Sequence, residues 1–454
     1  MYKAGRSEQA AEAALSHTGS IAGSAAVLDE ICHQYGVHIA RSMEETLDFG
    51  LILQDGRRAK GHRLAIVTTS GGSGVAMTDA AADAGLSVPR LPEEDQIKLL
   101  GEMPEPFFGN LANPVDTTSQ VAARPGAVER VVEILEDSQS TDMIAAVYWS
   151  ENTSQFKRLI EIHQSNDKPL AVLCNDRVPF VLDAGLPIYL DPARTVNALG
   201  IVARQSLDRP TQCAPGPLNH DRAARARQIL GVVRGGEILM EHEAKRLLAE
   251  YGIPVTREKL VQDVAEAGAV AAELGGKVAI KAMSPQLPHK SDVGGIRLNL
   301  TAELVTAAAR EMLEEVTQRA PDASLEGILV QEMVPAGIEM VCGIKRDPVF
   351  GAVVVVGLGG IAIEILAEIA MLRPPFDAQA ARRAISRLCN GRLVSARRAL
   401  DDEEIAALAA IMVGLGQIAL ELPEIAEVDI NPVRLADGRA IAADALILVD
   451  APAD

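Results

Sequence analysis

Aromatic side chains are scarce. One Trp, five Tyr and seven Phe make up 3% of 454 residues, so stacking platforms for single-stranded nucleic acid are excluded. Cysteines are few and scattered: Cys32, Cys174, Cys213, Cys342 and Cys389 form no CxxC pair. That spacing argues against a zinc site or a disulfide frame and fits a reducing cytoplasm. Positive charge is also short, with 43 Lys and Arg against 62 Asp and Glu and a net charge of −19. A chain of that sign repels nucleic acid and anionic membrane, so neither is expected as a partner. No stretch of about 18 apolar residues is free of charges and turn residues, so no membrane-spanning helix is expected. The run AVVVVGLGG (352–360) is short and ends in glycines. MYKAGRSEQA carries no apolar core of a secretory signal.

What is present is ample apolar material, 48% of the residues, enough for more than one core. The length suggests roughly two to four domains. The first ~55 residues pattern as helices around SHTGSIAGS (16–24). In ARSMEETLDFGLIL, Ser42 and Glu45 have the spacing of a helix N-cap and its partner. RLAIVTT (63–69) then reads as a buried parallel strand, SGGSG (70–74) as a turn and VAMTDAAADAG (75–85) as a helix. LSVPRL, MIAAVYW, PLAVLC and LPIYL extend the alternation. This is an α/β pattern, an open, flavodoxin-like parallel sheet over 60–208. A proline-bearing linker follows at 209–225. Residues 226–454 pattern as a mixed α+β unit, with strands at VAIKA, GILVQEM, EMVCGIK, AVVVVG, EVDINPVRL and AIAADALILV.

Several motifs in the last unit suit phosphate chemistry. Lys281 lies on an apolar strand, either snorkelling at an edge or aimed at a phosphate. PHKSDVGGIRL (288–298) sets His289 ahead of Gly294 and Gly295, a glycine pair that lets backbone approach a phosphate closely. Gln331 and Glu332 end a strand, either as an ordinary terminus or as an edge for adenine. EVDINPVRL, the ADGR turn and AIAADALILV read as a hairpin carrying Asp429, Asn431 and Asp444. Strand alternation puts Asp429 and Asn431 on one face, and three hard oxygen ligands suit Mg²⁺ between protein and nucleotide phosphates.

The order HEAKRLLAEYGIPV, VAIKAMSPQLPHKSDVGGI, GILVQEMVPAGIEMVCGIKRDPVFGAVVVVGLGGIAIEIL, EVDINPV, AADALI resembles the ATP-grasp part of the NDP-forming (ADP-forming) acyl-CoA synthetases, the acetate–CoA ligase family related to succinyl-CoA synthetase. KAGRSEQAAEAALSHTGSIAGS resembles that family's phosphohistidine segment, VTTSGGSGVAMTDAA its glycine loop and helix, and GNLANPVDTTS (109–119) a further segment. The resemblance implies an ATP-dependent, ADP-forming acid–CoA ligase that uses ATP, Mg²⁺, a small carboxylate and CoA. It implies that His17 carries the phosphoryl group and that Gly71, Gly72, Ser73 and Gly74 open a helix facing that phosphate. His289 matches a second, phosphate-shuttling histidine. Lys281 and Glu332 match ATP contacts, and Asn431 and Asp444 the metal ligands with Asp429 nearby; Gln331, Gly294 and Gly295, read from the residues themselves, complete the expected nucleotide-binding set. A neutral imidazole is a competent phosphoryl acceptor, and a helix N-terminus holds the resulting anion without a basic patch.

The pattern departs from the family in two places. Residues 1–55 match only the end of its phosphohistidine domain, and its CoA-binding domain has no counterpart. ILAEIAMLRPPF (365–376) carries Glu368 and Leu372 where the family has aspartate and arginine. A protein partner or a second copy supplying the missing parts is therefore expected. The alternative is a catalytically incomplete nucleotide-binding or regulatory chain. A nicotinamide-dependent oxidoreductase built on SGGSGV fits worse, since the loop is not GxGxxG.

Overall fold

The computed structural model describes residues 1–4, 6, 9–10, 24–149, 153–207, 218–231, 237–287, 290–359, 369–388 and 400–450. Contacts divide the chain into two compact units, residues 1–4 with 36–210 and residues 5–35 with 211–454.

In the first unit, short apolar runs become strands β1 (Leu64–Thr68), β2 (Val115–Asp116), β3 (Met143–Tyr148), β4 (Leu170–Cys174) and β5 (Ile188–Tyr189). All four pairings are parallel, in the order β2-β1-β3-β4-β5. Alternation explains why these runs are apolar throughout. Leu64 and Ile66 face one helical layer with Met77, Leu199 and Val202. Ala65 and Val67 face the other with Val131, Leu135 and Phe156. Each aliphatic side chain buried this way contributes roughly 1.5–3 kcal/mol. The chain reverses direction across the sheet between β1 and β3, where such sheets open a crevice at their carboxyl ends. Ser42 caps the helix Met43–Leu53, accepting from the Glu45 amide at 3.0 Å, as its spacing predicts.

The second unit holds two antiparallel systems. The smaller sheet has the order β7-β10-β8-β9; the larger runs β13-β12-β11-β14-β16-β6, with β15 paired to β14. The strands are β6 (Ile238–Leu239), β7 (Glu258–Val261), β8 (Val278–Met283), β9 (Ile296–Leu300), β10 (Gly327–Glu332), β11 (Ile338–Asp347), β12 (Gly351–Leu358), β13 (Ile369–Leu372), β14 (Ile425–Ala436), β15 (Arg439–Ala442) and β16 (Leu446–Val449). Helices Val264–Leu274 and Ala302–Arg319 cover the smaller sheet. Helix Asp402–Glu421 is long and apolar enough to cross a membrane by length and composition. Its apolar length is spent inside the protein: Leu408, Ile411, Met412, Leu415 and Ile418 are fully buried in the core of the larger sheet. Asp401 and Glu404 close a reciprocal capping box at its start, which fixes where it begins. Helix Ala25–Gln34 packs Val27 and Ile31 on Val353 and Met371.

Four local expectations need correction. SGGSG is not a turn before a helix: the helix runs Gly71–Asp83, so the glycines are its first turn. The hairpin is interrupted, because β15 ends at Ala442 and β16 starts at Leu446, leaving Asp444 in the break. Helix His220–Leu230, capped by Asn219, begins inside the segment read as linker. LSVPRL makes only an isolated bridge between Arg63 and Ser87.

Candidate active site

The densest polar cluster among the described residues surrounds one carboxylate, Glu241. It opens the helix Glu241–Glu250 and is 3% exposed. Three lysines converge on it from three elements. Lys245, one turn along the same helix, donates to Glu241 Oε1 at 2.8 Å. Lys281 of β8 donates to the same oxygen. Lys290 donates to Oε2 at 2.8 Å. Lys245 also reaches Glu258 at 2.8 Å, and Thr256 and Gln331 at 3.1 Å. Its side chain is almost wholly enclosed, so every donor has an acceptor, as a buried ammonium requires.

Charge in this cluster is balanced by proximity. Burial alone raises the Glu241 carboxyl, but Lys281, Lys245 and Lys290 overcome it and hold the group well below the usual carboxylate range. Burial opposes the charged form of Lys281 too, and Glu241 and Asp444 outweigh it, leaving this ammonium firmer than an ordinary lysine. Lys281 reaches Asp444 Oδ2 at 3.1 Å and the Ala443 carbonyl at 3.3 Å. Gln331 donates to that carbonyl at 3.0 Å. The sequence-predicted Lys281, Gln331 and Asp444 therefore meet in one network.

Asp429 and Asn431 are exposed on one face of β14, as alternation predicts. The Ala443 amide donates to the Pro432 carbonyl at 3.0 Å, which sets the break holding Asp444 against this stretch. Although the residue reaches solvent, desolvation by the groups crowding its carboxyl comes first, and then Glu427 and Asp444, in pushing Asp429 up. Among the described residues no group of three or more His, Cys, Asp or Glu converges as a metal cluster. The donor set nevertheless fits Mg²⁺. It is oxygen only, and the like charges that disfavour ionised Asp429 are those a divalent cation relieves.

Other predicted residues are placed differently. Glu332 is engaged by Arg257, whose amide and Nε donate to it at 2.9 and 2.6 Å. The amide of Gly294 is spent on the Ser291 carbonyl (3.2 Å) and that of Gly295 on Lys290 (2.7 Å). These glycines supply a turn, with Gly294 at φ +73° and a Cβ on Gly295 2.9 Å from the Lys290 carbonyl; free phosphate donors they are not. At the Gly71–Gly74 turn the Ser70 side chain makes no cap bond; the Gly74 amide donates to the Ser70 carbonyl at 3.1 Å, which leaves the amides of Gly71, Gly72 and Ser73 without an acceptor in their own helix. A Cβ on Gly71 would lie 3.3 Å from Asp116 Oδ2, and one on Gly74 3.1 Å from the Thr68 methyl. Glycine here permits close packing, beside a carboxylate the sequence did not flag. His17 and His289 lie outside the described residues.

Sequence reasoning also missed Glu241, Lys245, Thr256 and Glu258. The available signal was Glu241 and Lys245 at i, i+4 on the same stripe as Leu248, the buried face of the helix.

Residues 232–449 match the family model described as an ATP-grasp domain, and residues 1–53 that of a succinyl-CoA ligase like flavodoxin domain. An ADP-forming acetate–CoA ligase I of Archaeoglobus fulgidus is 31% identical over 96% of this chain. This chain spans 64% of that protein's length. The β subunit of ADP-forming acetate–CoA ligase I from Pyrococcus furiosus is 38% identical over 50% of this chain and 100% of its own length. The α subunit of that enzyme is 32% identical over 45% of this chain and 46% of its own. Among solved structures, acetyl-coenzyme A synthetase 1 of Ca. Korarchaeum cryptofilum, in complex with coenzyme A and Ca-AMPCP, is 38% identical over 51% of this chain and 99% of that one, with a TM-score of 0.46. With one relative's β subunit matched from end to end, the chain belongs to the ADP-forming acetate–CoA ligase family.

Proposed function

We propose that this chain performs the ATP-driven, phosphohistidine-relayed steps of ADP-forming acid–CoA ligation. The observation that carries the reading is Lys281, a charged lysine on a buried strand, joined at 3.1 Å to Asp444, whose charge acts on Asp429. A cation and a carboxylate set side by side are the two halves of a Mg-nucleotide site.

In this reading Lys281 exchanges Asp444 for a nucleotide phosphate, and Gln331 and Glu332 stand at the strand end beside the base. Asp429, Asn431 and Asp444 hold Mg²⁺, which when bound spreads the charge of the transferred phosphoryl group. His289 attacks the γ-phosphorus of ATP; a P–N bond forms, the bond to ADP breaks, and the imidazole proton leaves. His17 then takes the phosphoryl group from His289, its own P–N bond forming as the one to His289 breaks. A carboxylate oxygen then takes the phosphoryl group from His17, giving an acyl phosphate. The CoA thiol, losing its proton, attacks the acyl carbon and expels phosphate. The first-turn amides of Gly71, Gly72 and Ser73 suit an anionic phosphate, and Gly74 gives that turn its close packing. Division of the Pyrococcus enzyme into two subunits supports a partner subunit or a second copy taking part in CoA binding. The few, scattered cysteines support a reducing, cytoplasmic compartment.

The experiment is incubation of the full chain with γ-labelled ATP and Mg²⁺. Acid-labile, base-stable label is expected, lost in the His17→Ala, His289→Ala double variant. Undiminished label in that variant overturns the histidine assignment. Mg-ATP binding without any label reduces the chain to a nucleotide-binding role.

A further inference from the structure

The parallel-sheet unit contains a cavity of about 750 Å³ that the nucleotide chemistry does not use. It lies at the carboxyl ends of β1 and β3, the point where the sheet reverses and ligands settle in folds of this order. Thr69 and Ser119 line it from one side, Val147, Tyr148 and Trp149 from β3 and its end, and Val128 and Glu129 from helix Ala127–Asp137. Trp149 Nε1 donates to Thr69 Oγ1 at 3.3 Å. Thr69 directly precedes Ser70, the N-cap of helix Gly71–Asp83. The cavity is thus continuous along the chain with the helix turn assigned above to the phosphate.

Its size and walls define what fits. Pockets of roughly 300–1,000 Å³ enclose drug-sized molecules. A two-carbon acid would leave most of this volume to water. The walls contributed by Val121, Pro125, Val128, Val147 and Trp149 are apolar. Two lining residues carry an unanswered polar atom: Glu129 Oε2 and Tyr148 Oη have no hydrogen-bond partner, although both residues are only 3% exposed. Both atoms have almost no accessible surface, so a ligand in the cavity does not reach them.

We infer that this cavity holds the acyl group of the acid substrate, and that it takes a ring-sized, mostly apolar carboxylic acid. The inference rests on the ligase reading for the word substrate, but the binding it requires is measurable without turnover. Trp149 is the single tryptophan of the chain, so indole fluorescence of the full protein reports on this wall alone.

The test is titration with 4-hydroxyphenylacetate, phenylacetate and acetate, each with and without Mg-ATP. A saturable Trp149 response is expected for both phenylacetate and 4-hydroxyphenylacetate. Acetate should half-saturate at a concentration at least tenfold higher, since apolar fit to a pocket is worth roughly 10–200-fold. Ala122→Phe narrows the cavity from an exposed wall position, so the fold tolerates it; half-saturation should rise tenfold or more. Equal responses to acetate and the aryl acids, no response to any of them, or an inert Ala122→Phe overturns the inference. Histidine labelling by ATP is read separately. Label without a Trp149 response sinks the cavity alone, whereas a selective response without label sinks the ligase reading and leaves an aryl-acid site.

Discussion

Replacing Glu241 by Gln should loosen the start of the second unit far more than an ordinary surface substitution. The side chain is 3% exposed and accepts from Lys245, Lys281 and Lys290. Without its charge, Lys245 keeps Glu258 and Lys281 keeps Asp444. Lys290, which is 9% exposed, loses the carboxylate it is paired with. Breaking a buried ion pair from one side costs about 3–5 kcal/mol. At 1.4 kcal/mol per decade, amide exchange in helix Glu241–Glu250 should accelerate by roughly two to four orders of magnitude, read by hydrogen–deuterium exchange of the full chain. The sign with pH follows from the depressed carboxyl. Its contribution is present above the unfolded value of about 4.3 and is lost as pH falls through the folded value. The gap between wild type and Glu241→Gln should therefore close in acid. Exchange rates within a factor of three of wild type at neutral pH would refute the reasoning that one carboxylate organises the cluster.

Two further outcomes follow from the same physical terms. Burial, with Arg57 beside it, lowers His163 to about 4. The unfolded chain, with histidine near 6.5, binds more protons between those values, so the first unit should lose about 3 kcal/mol as pH falls from 6.5 to 4; urea unfolding followed by Trp149 fluorescence checks this, and His163→Asn should flatten the slope. Lys281→Met keeps the stem and removes the ammonium, so Mg-ATP binding measured by calorimetry should weaken at least tenfold; an unchanged Kd would remove this lysine from the nucleotide site.

What the sequence made legible divides along physical lines. Strands buried on both faces, such as LAIVT and LAVLC, stand out as unbroken apolar runs. The helix Asp402–Glu421 announces its start through Asp401 and Glu404. The short β6, and β7 and β9 with Glu258 and Arg297 on them, carry too little apolar signal to register. The glycine cluster misled because a first helical turn and a loop share the same composition; only packing against Thr68 and Asp116 distinguishes them. Lys281 and Asp444 were visible as types, but their joining at 3.1 Å depends on the break between β15 and β16, which periodicity does not encode. Glu241 was hidden by its position. An acid in the first turn of a helix ordinarily serves the helix dipole, and nothing local says that three lysines close over it.

The most direct test of the central claim is to map the site of phosphorylation. The full chain, treated with Mg-ATP and digested under alkaline conditions that preserve phosphohistidine, should yield a phosphoryl group on the peptide containing His17, absent from His17→Ala. Binding of Mg-ATP with phosphate on neither His17 nor His289 would contradict the account.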